Sequence, residues 1–308
     1  MVEFFPAGFY YGDLQCNGWE GSMTGWYLYA VLSLILLGFQ RFLYKVSAEK
    51  QCNTAWTTFS FMGTVAILSS TLCFVLGEPV SNVRFLIFIA LVNSLAFVIA
   101  TISHIEALKL IPSSIAYPII RLNAVLVVVF SILFFKDHLS VFQGFGIVLA
   151  FSVILILALG INHQATPKKN IRQGSLFVLI SLVGGAVAVI SSKYAAGNTN
   201  KMAFIAISYI LSTLFSFGLR EKLQTKETHK THKEALIIGV TMGIFNLAGY
   251  YSFLKALSMG PLSIIASITG MHFVISIILS TLIYREKLTR LRILGICLTI
   301  LSMILLRI

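Results

Sequence analysis

The chain has 308 residues, of which 57% are hydrophobic and 11% charged, and its mean hydropathy is +0.91. A water-soluble globule carries about 25% charged residues, so this chain lacks the polar surface for water and its solvent must be lipid. The net charge of +12 does not indicate nucleic acid, because the Lys and Arg residues fall mostly in short gaps between apolar runs, where they orient a membrane protein.

Residues 1–22 are rich in Gly and aromatics and hold Glu3, Asp13 and Glu20 without a basic residue. They read as an N-terminal tail, either a cloning-derived leader or a short natural extracytoplasmic segment. Apolar runs long enough to span a roughly 30 Å hydrocarbon layer then recur about ten times. They lie near 24–45, 54–76, 84–105, 113–135, 139–160, 172–194, 202–219, 235–256, 261–283 and 289–307. Lipid offers no partner to a peptide group, so each is expected to be a helix.

The first run carries Gln40 and Arg41 in its second half. Arg41 is expected to extend to the headgroups beside Lys45; the other reading adds a positive charge to an internal cavity. The third run presents Asn93, Phe97, Thr101 and His104 along one stripe, and Glu106 near its end. The stripe suits either an amphipathic ligand or interhelical hydrogen bonds. Glu106 is expected at the interface, the other reading being proton coupling.

Arg121 is the sharpest feature of the fourth run. A charged side chain inside a span costs roughly 2.5–3.5 kcal/mol or more, so it is expected to face protein or water. Ser114, Tyr117 and Arg121 share a helix face, and a guanidinium fork matches a carboxylate or phosphate. The competing role is a structural partner for a carbonyl or an acid. Pro118 frees a backbone carbonyl beside them. In the sixth run, Gly184, Gly185, Ala186 and Ala188 allow close helix approach, as do Gly243 and Gly249 in the eighth. The eighth also presents Asn246, Tyr250 and Phe253. In the ninth, Thr269, His272, Ser276 and Ser280 share a face, and His272 is a candidate for substrate contact or proton coupling.

The runs are related by duplication. Ala107-Leu108, Pro112, Ser114, Ser131, Asp137 and Gly146 return 149 residues later as Ala256-Leu257, Pro261, Ser263, Ser280, Glu286 and Gly295. Tyr44-Lys45 corresponds more weakly to Ser192-Lys193. The expected organisation is a first five-helix repeat over 23–160, a linker over 161–172 and a second repeat over 173–308. An odd helix number inverts one repeat against the other and places a binding site between them near the midplane. Arg121 maps to Gly270 and Asn123 to His272, so the two halves of that site are chemically unlike. The basic gaps predict both termini outside a cell membrane, with the bacterial inner membrane the expected location.

Several residues together resemble the drug/metabolite transporter superfamily, EamA type. They are Gly38 and Lys45, Ala107-Leu108 with Pro112 and Ser114, Tyr117-Pro118, Phe134-Phe135-Lys136-Asp137 before Gly144 and Gly146, Ala256-Leu257, Tyr284-Arg285-Glu286 and Gly295. Lys136-Asp137 and Arg285-Glu286 stand where such proteins carry a small-acidic signature. The resemblance implies an all-α fold of ten helices with a central cavity lined by helices 1, 3, 4, 6, 8 and 9. Members are often drawn with cytoplasmic termini, the reverse of the charge bias here.

No ATP-binding or catalytic motif accompanies these features, and the scattered cysteines and histidines form no metal pattern. The expected activity is therefore secondary transport of a small polar or amphipathic metabolite by a monomer or homodimer, without cofactor. Arg121, Tyr117, Ser114, Asn93, Phe97, Asn246, Tyr250, His272 and Gln40 are the candidate substrate contacts, with His272 and Glu106 the candidates for proton coupling. A flippase for a phosphate-bearing lipid is the main alternative, and a membrane-embedded enzyme a remote one.

Overall fold

The computed structural model describes residues 19–77, 79–80, 82–110, 116, 119–120, 122–159, 168–218, 229–284 and 290–308. Ser114, Tyr117, Arg121, Glu286, most of the 1–22 tail and most of the 161–172 linker lie outside them. The helices are α1 (Trp19–Glu49), α2 (Thr54–Leu76), α3 (Val83–Leu110), α4 (Asn123–Phe130), α5 (Val141–Leu159), α6 (Lys168–Asn198), α7 (Lys201–Gly218), α8 (His229–Met259), α9 (Leu262–Gly270), α10 (Phe273–Tyr284) and α11 (Arg290–Arg307). A π-helical turn, Ser131–Phe135, extends α4. Among the described residues, six helices are long and apolar enough to cross a membrane, and four shorter apolar segments complete a ten-span fold. Large apolar side chains cover the outside, Phe74 being 89% exposed. Only a lipid solvent tolerates such a surface.

The chain forms α2 where the sequence predicts it because Asn53 accepts from the backbone N–H groups of Ala55 and Trp56, and Gly77 closes the other end with φ 56°. The ninth span differs from the expected continuous helix. It breaks at Met271–His272, where Met271 has φ −79° and ψ 3°. The fourth span turns at Leu122, with φ −62° and ψ −9°. These positions are repeat-related (271 − 122 = 149), so the two repeats carry their helix break at the same place. Free backbone groups at membrane depth are tolerated where they face protein or a wet cavity.

The two repeats interlock in symmetry-related pairs. Helix α1 packs on α8, and its counterpart α6 packs on α3. Three more contacts join counterpart spans directly: α2 with α7, α4 of the fourth span with α9 of the ninth, and α5 with α11. Small residues set the spacing. An added Cβ on Gly38 would lie 2.5 Å from Ile275 Cβ and 2.9 Å from the His272 carbonyl oxygen, so α1 crosses the break in the ninth span with backbone close to backbone. Gly184 meets the Ala96 carbonyl and Gly243 meets Thr64 in the same way, which makes them packing residues.

One end of the interface is tied by Asp137. Lys136 adopts a left-handed conformation (φ 52°) and turns the chain back after the π-helical segment. The Asp137 carboxylate then accepts from Ser131 Oγ at 2.6 Å, Ser263 Oγ at 2.7 Å and Ser263 N at 3.0 Å. It thereby satisfies a free N–H at the start of α9 and opposes the helix dipole there. Lys193, within Coulombic reach of Asp137, donates to the carbonyls of Leu257 and Gly260, both at 2.9 Å. Asp137, the first-repeat member of the acidic signature seen in the sequence, is thus a joint between the repeats. Asp137→Ala is expected to cost about 1–3 kcal/mol, because it strands a backbone donor and removes charge-assisted bonds. Asp137→Asn should cost less. Unfolding of the purified protein by graded detergent denaturation reads both, and an alanine variant as stable as wild type would refute the joint.

A central cavity at two broken helices

A cavity of about 120 Å³ lies between the repeats, beside both helix breaks. It is enclosed by the first, third, fourth, sixth, eighth and ninth spans. Helix α1 contributes Leu37, Gln40 and Arg41; α3 contributes Phe97, Thr101 and His104; α4 contributes Asn123 and Val127. From the second repeat come Ser181, Gly185 and Ser192 of α6, and Asn246, Tyr250 and Phe253 of α8. Thr269, Gly270 and His272 come from the broken ninth span. Most of the wall is apolar or uncharged. None of the described lining residues is acidic.

The polar groups divide into two sets. The first set is consumed by hydrogen bonds between helices. Tyr209 donates to Asn246 Oδ1 at 2.5 Å, Asn246 Nδ2 donates to Gln40 Oε1 at 3.2 Å, and Gln40 Nε2 donates to Tyr44 OH at 3.0 Å. On the other side Asn93 Nδ2 approaches the Ala188 carbonyl, Ser191 Oγ and Ser192 Oγ at 2.8, 2.9 and 3.1 Å. Ser192 and Tyr250 share a hydrogen bond of 2.8 Å. Gln40 and Tyr44 are repeat-related to Ala188 and Ser192 (188 − 40 = 148 and 192 − 44 = 148). The two chains of bonds therefore join repeat-related positions of α1 and α6 to asparagines that are not counterparts, Asn246 of α8 and Asn93 of α3 (246 − 93 = 153).

The second set faces the cavity from the break. Arg41 Nε donates to His272 Nε2 at 3.2 Å, and its guanidinium stands 4.8 Å above the Tyr44 ring. His272 Nδ1 contacts the Thr269 carbonyl. Arg41 is therefore turned inward, whereas the sequence favoured headgroups. The glycine at position 38 lets α1 approach the break one turn before Arg41, which brings the guanidinium to the ring.

Of the sequence candidates, Gln40, Phe97, Asn246, Tyr250 and His272 line the cavity, and Asn93 sits behind it. Glu106 is elsewhere, accepting from Thr54 Oγ1 at 2.7 Å beside the start of α2. Arg121 is outside the described residues, although Asn123, two positions on, lines the cavity. Arg41, Asn123 and Ser192 were not among the sequence-derived contacts. The repeat could have pointed to Asn123, since it is the counterpart of His272.

A model described as the EamA-like transporter family matches residues 24–159 and, a second time, 172–308. The chain belongs to the EamA-like transporter family. This EamA-like chain is accordingly a multi-span membrane transporter of the drug/metabolite type, built from two repeats. No curated protein matches it. One solved structure, described only as a crystal structure of a protein, is similar with a TM-score of 0.71 at 15% identity, over 92% of this chain and 96% of the other. At that identity the likeness carries the fold alone.

Proposed function

We propose that this EamA-like protein is a secondary carrier that moves a small amphipathic metabolite with an anionic group through the central cavity by alternating access. The observation that carries this reading is the placement of Arg41 beside His272 at the helix break, on a cavity whose described wall holds no other Lys or Arg and no Asp or Glu. A guanidinium keeps its charge at any physiological pH and donates in a fork that suits carboxylate, sulfonate or phosphate. Leu37, Phe97, Val127 and Phe253 suit the apolar body of the same ligand. Alternating access is supported by the interlocked pairs: if the repeats exchange conformations, the same contacts re-form with the opposite end closed. The Lys and Arg bias supports both termini facing outward in a cell membrane.

The test is counterflow in proteoliposomes without ATP, loaded with unlabelled benzoate and given labelled benzoate outside. Saturable uptake, stimulated by internal benzoate and reduced in Arg121→Ala, is the expected result. Flux equal to that of empty liposomes would overturn the carrier reading. Flux untouched by Arg121→Ala would remove that residue from the site.

A further inference from the structure

We propose that His272 is the coupling proton site, so that the carrier takes up its anion together with one proton. This inference rests on the anion-carrier reading above and adds what drives it.

The hydrogen bonds define the state of the ring. A carbonyl only accepts, so the Nδ1 facing Thr269 bears hydrogen. Arg41 only donates, so the Nε2 that receives its Nε–H at 3.2 Å bears a lone pair. These two contacts fit a neutral imidazole protonated at Nδ1, whose Nε2 lone pair accepts from the guanidinium.

A proton delivered by cavity water to Nε2 removes this bond. N–H would then face N–H, and two cations would stand side by side. The resulting state favours an anion that accepts from Arg41 and from the new Nε2–H at once. Loss of the anion restores the repulsion, the proton returns to water, and Arg41 closes on Nε2 again. Proton and anion thus bind with positive linkage, and linkage is reciprocal. The transported pair has no net charge, which lowers the cost of carrying it through a low-dielectric interior.

His272 is singled out by its hydrogen bond to Arg41 at the helix break, and the described titratable and charged groups around it are few. Helix α1 brings Arg41, with Tyr44 beneath its guanidinium. His104 of α3, whose ring centroid is 5.6 Å from that of Tyr44, and Tyr250 of α8 also line the cavity. The described parts of α4 and α5 bring no ionisable side chain. The repeat counterpart of His272 is Asn123, which lines the same cavity and does not titrate near neutrality. The proton site therefore belongs to one repeat, as expected for a single proton per cycle. A cavity of about 120 Å³ admits the necessary water.

The decisive measurement is the affinity of the purified full chain for benzenesulfonate, which stays ionised throughout, at about pH 6 and about pH 8, on either side of the ordinary histidine range. Wild-type protein is expected to bind about tenfold more tightly at the lower pH. In His272→Gln the amide oxygen can still accept from Arg41 but takes no proton, so one affinity should hold at both pH values. A second readout needs no variant: the buffer dependence of the binding heat near neutral pH should report close to one proton taken up per anion. Equal wild-type affinity at both pH values, no proton uptake, or a tenfold difference retained in His272→Gln would each overturn the coupling while leaving the anion site intact. Absence of binding at either pH would instead overturn the anion-carrier reading.

Discussion

Arg41→Gln is expected to weaken benzoate binding roughly 10- to 150-fold and to reduce counterflow in proportion, without unfolding the protein. The size follows from the loss of charge-assisted hydrogen bonds, worth about 1.5–3 kcal/mol for a charged partner, at about 1.4 kcal/mol per factor of ten. Arg41→Lys should recover part of the loss, because it keeps the charge but not the planar fork. The packing argument protects the fold in both variants: Arg41 is half-buried at the cavity, while the close approach of α1 to the break is made by Gly38. Equal benzoate affinity in Arg41→Gln and wild type would show that the guanidinium at the break is structural. The anionic substrate class would then lose its support.

The second large effect concerns stability. Asn246→Leu should destabilise the protein by about 2–4 kcal/mol, read by graded detergent denaturation. A typical interhelical hydrogen bond in a bilayer contributes only about 0.6 kcal/mol, because the unfolded chain also finds partners. This substitution does more than remove one bond. It strands the Tyr209 hydroxyl and the Gln40 side-chain carbonyl in a buried site, and each orphaned group costs about 1–3 kcal/mol. Adding Gln40→Leu removes the carbonyl that was stranded, so the double variant should be less destabilised than the sum of the two singles, by about 1 kcal/mol. Strict additivity would mean that Asn246 and Gln40 do not communicate across the repeat interface.

The two predictions separate what was readable in the sequence from what was not. Gln40, Asn93, Asn246 and Tyr250 were all visible as polar groups in apolar runs, at helical spacing. Nothing in that spacing distinguishes a side chain that meets another helix from one that meets a ligand. The structure makes the distinction: Asn93 and Asn246 are taken up by partners on α6, α1 and α7. Arg41 illustrates the opposite miss. Its place near the end of the first run, four residues before Lys45, matches a snorkelling residue, and the sequence offered no sign that the ninth span breaks beside it. Gly38 was such a sign only in retrospect, since a glycine in a helix marks close approach without naming the partner. Asp137 was better foreseen, because its return as Glu286 marked it as part of the duplicated frame. Its attachment to Ser263, across 126 residues, was not.

By itself the sequence determined the lipid solvent, the ten apolar spans, the duplication and hence the family. These are properties of contiguous windows and of a fixed offset, and they survive whatever the helices later touch. Only the tertiary structure decided which polar groups satisfy one another and which are left facing the void. Arg41 and His272 are 231 positions apart and meet because two inverted repeats interlock at a point where one helix is broken. Such a meeting depends on the relative placement of whole helices, which local hydropathy and spacing do not encode.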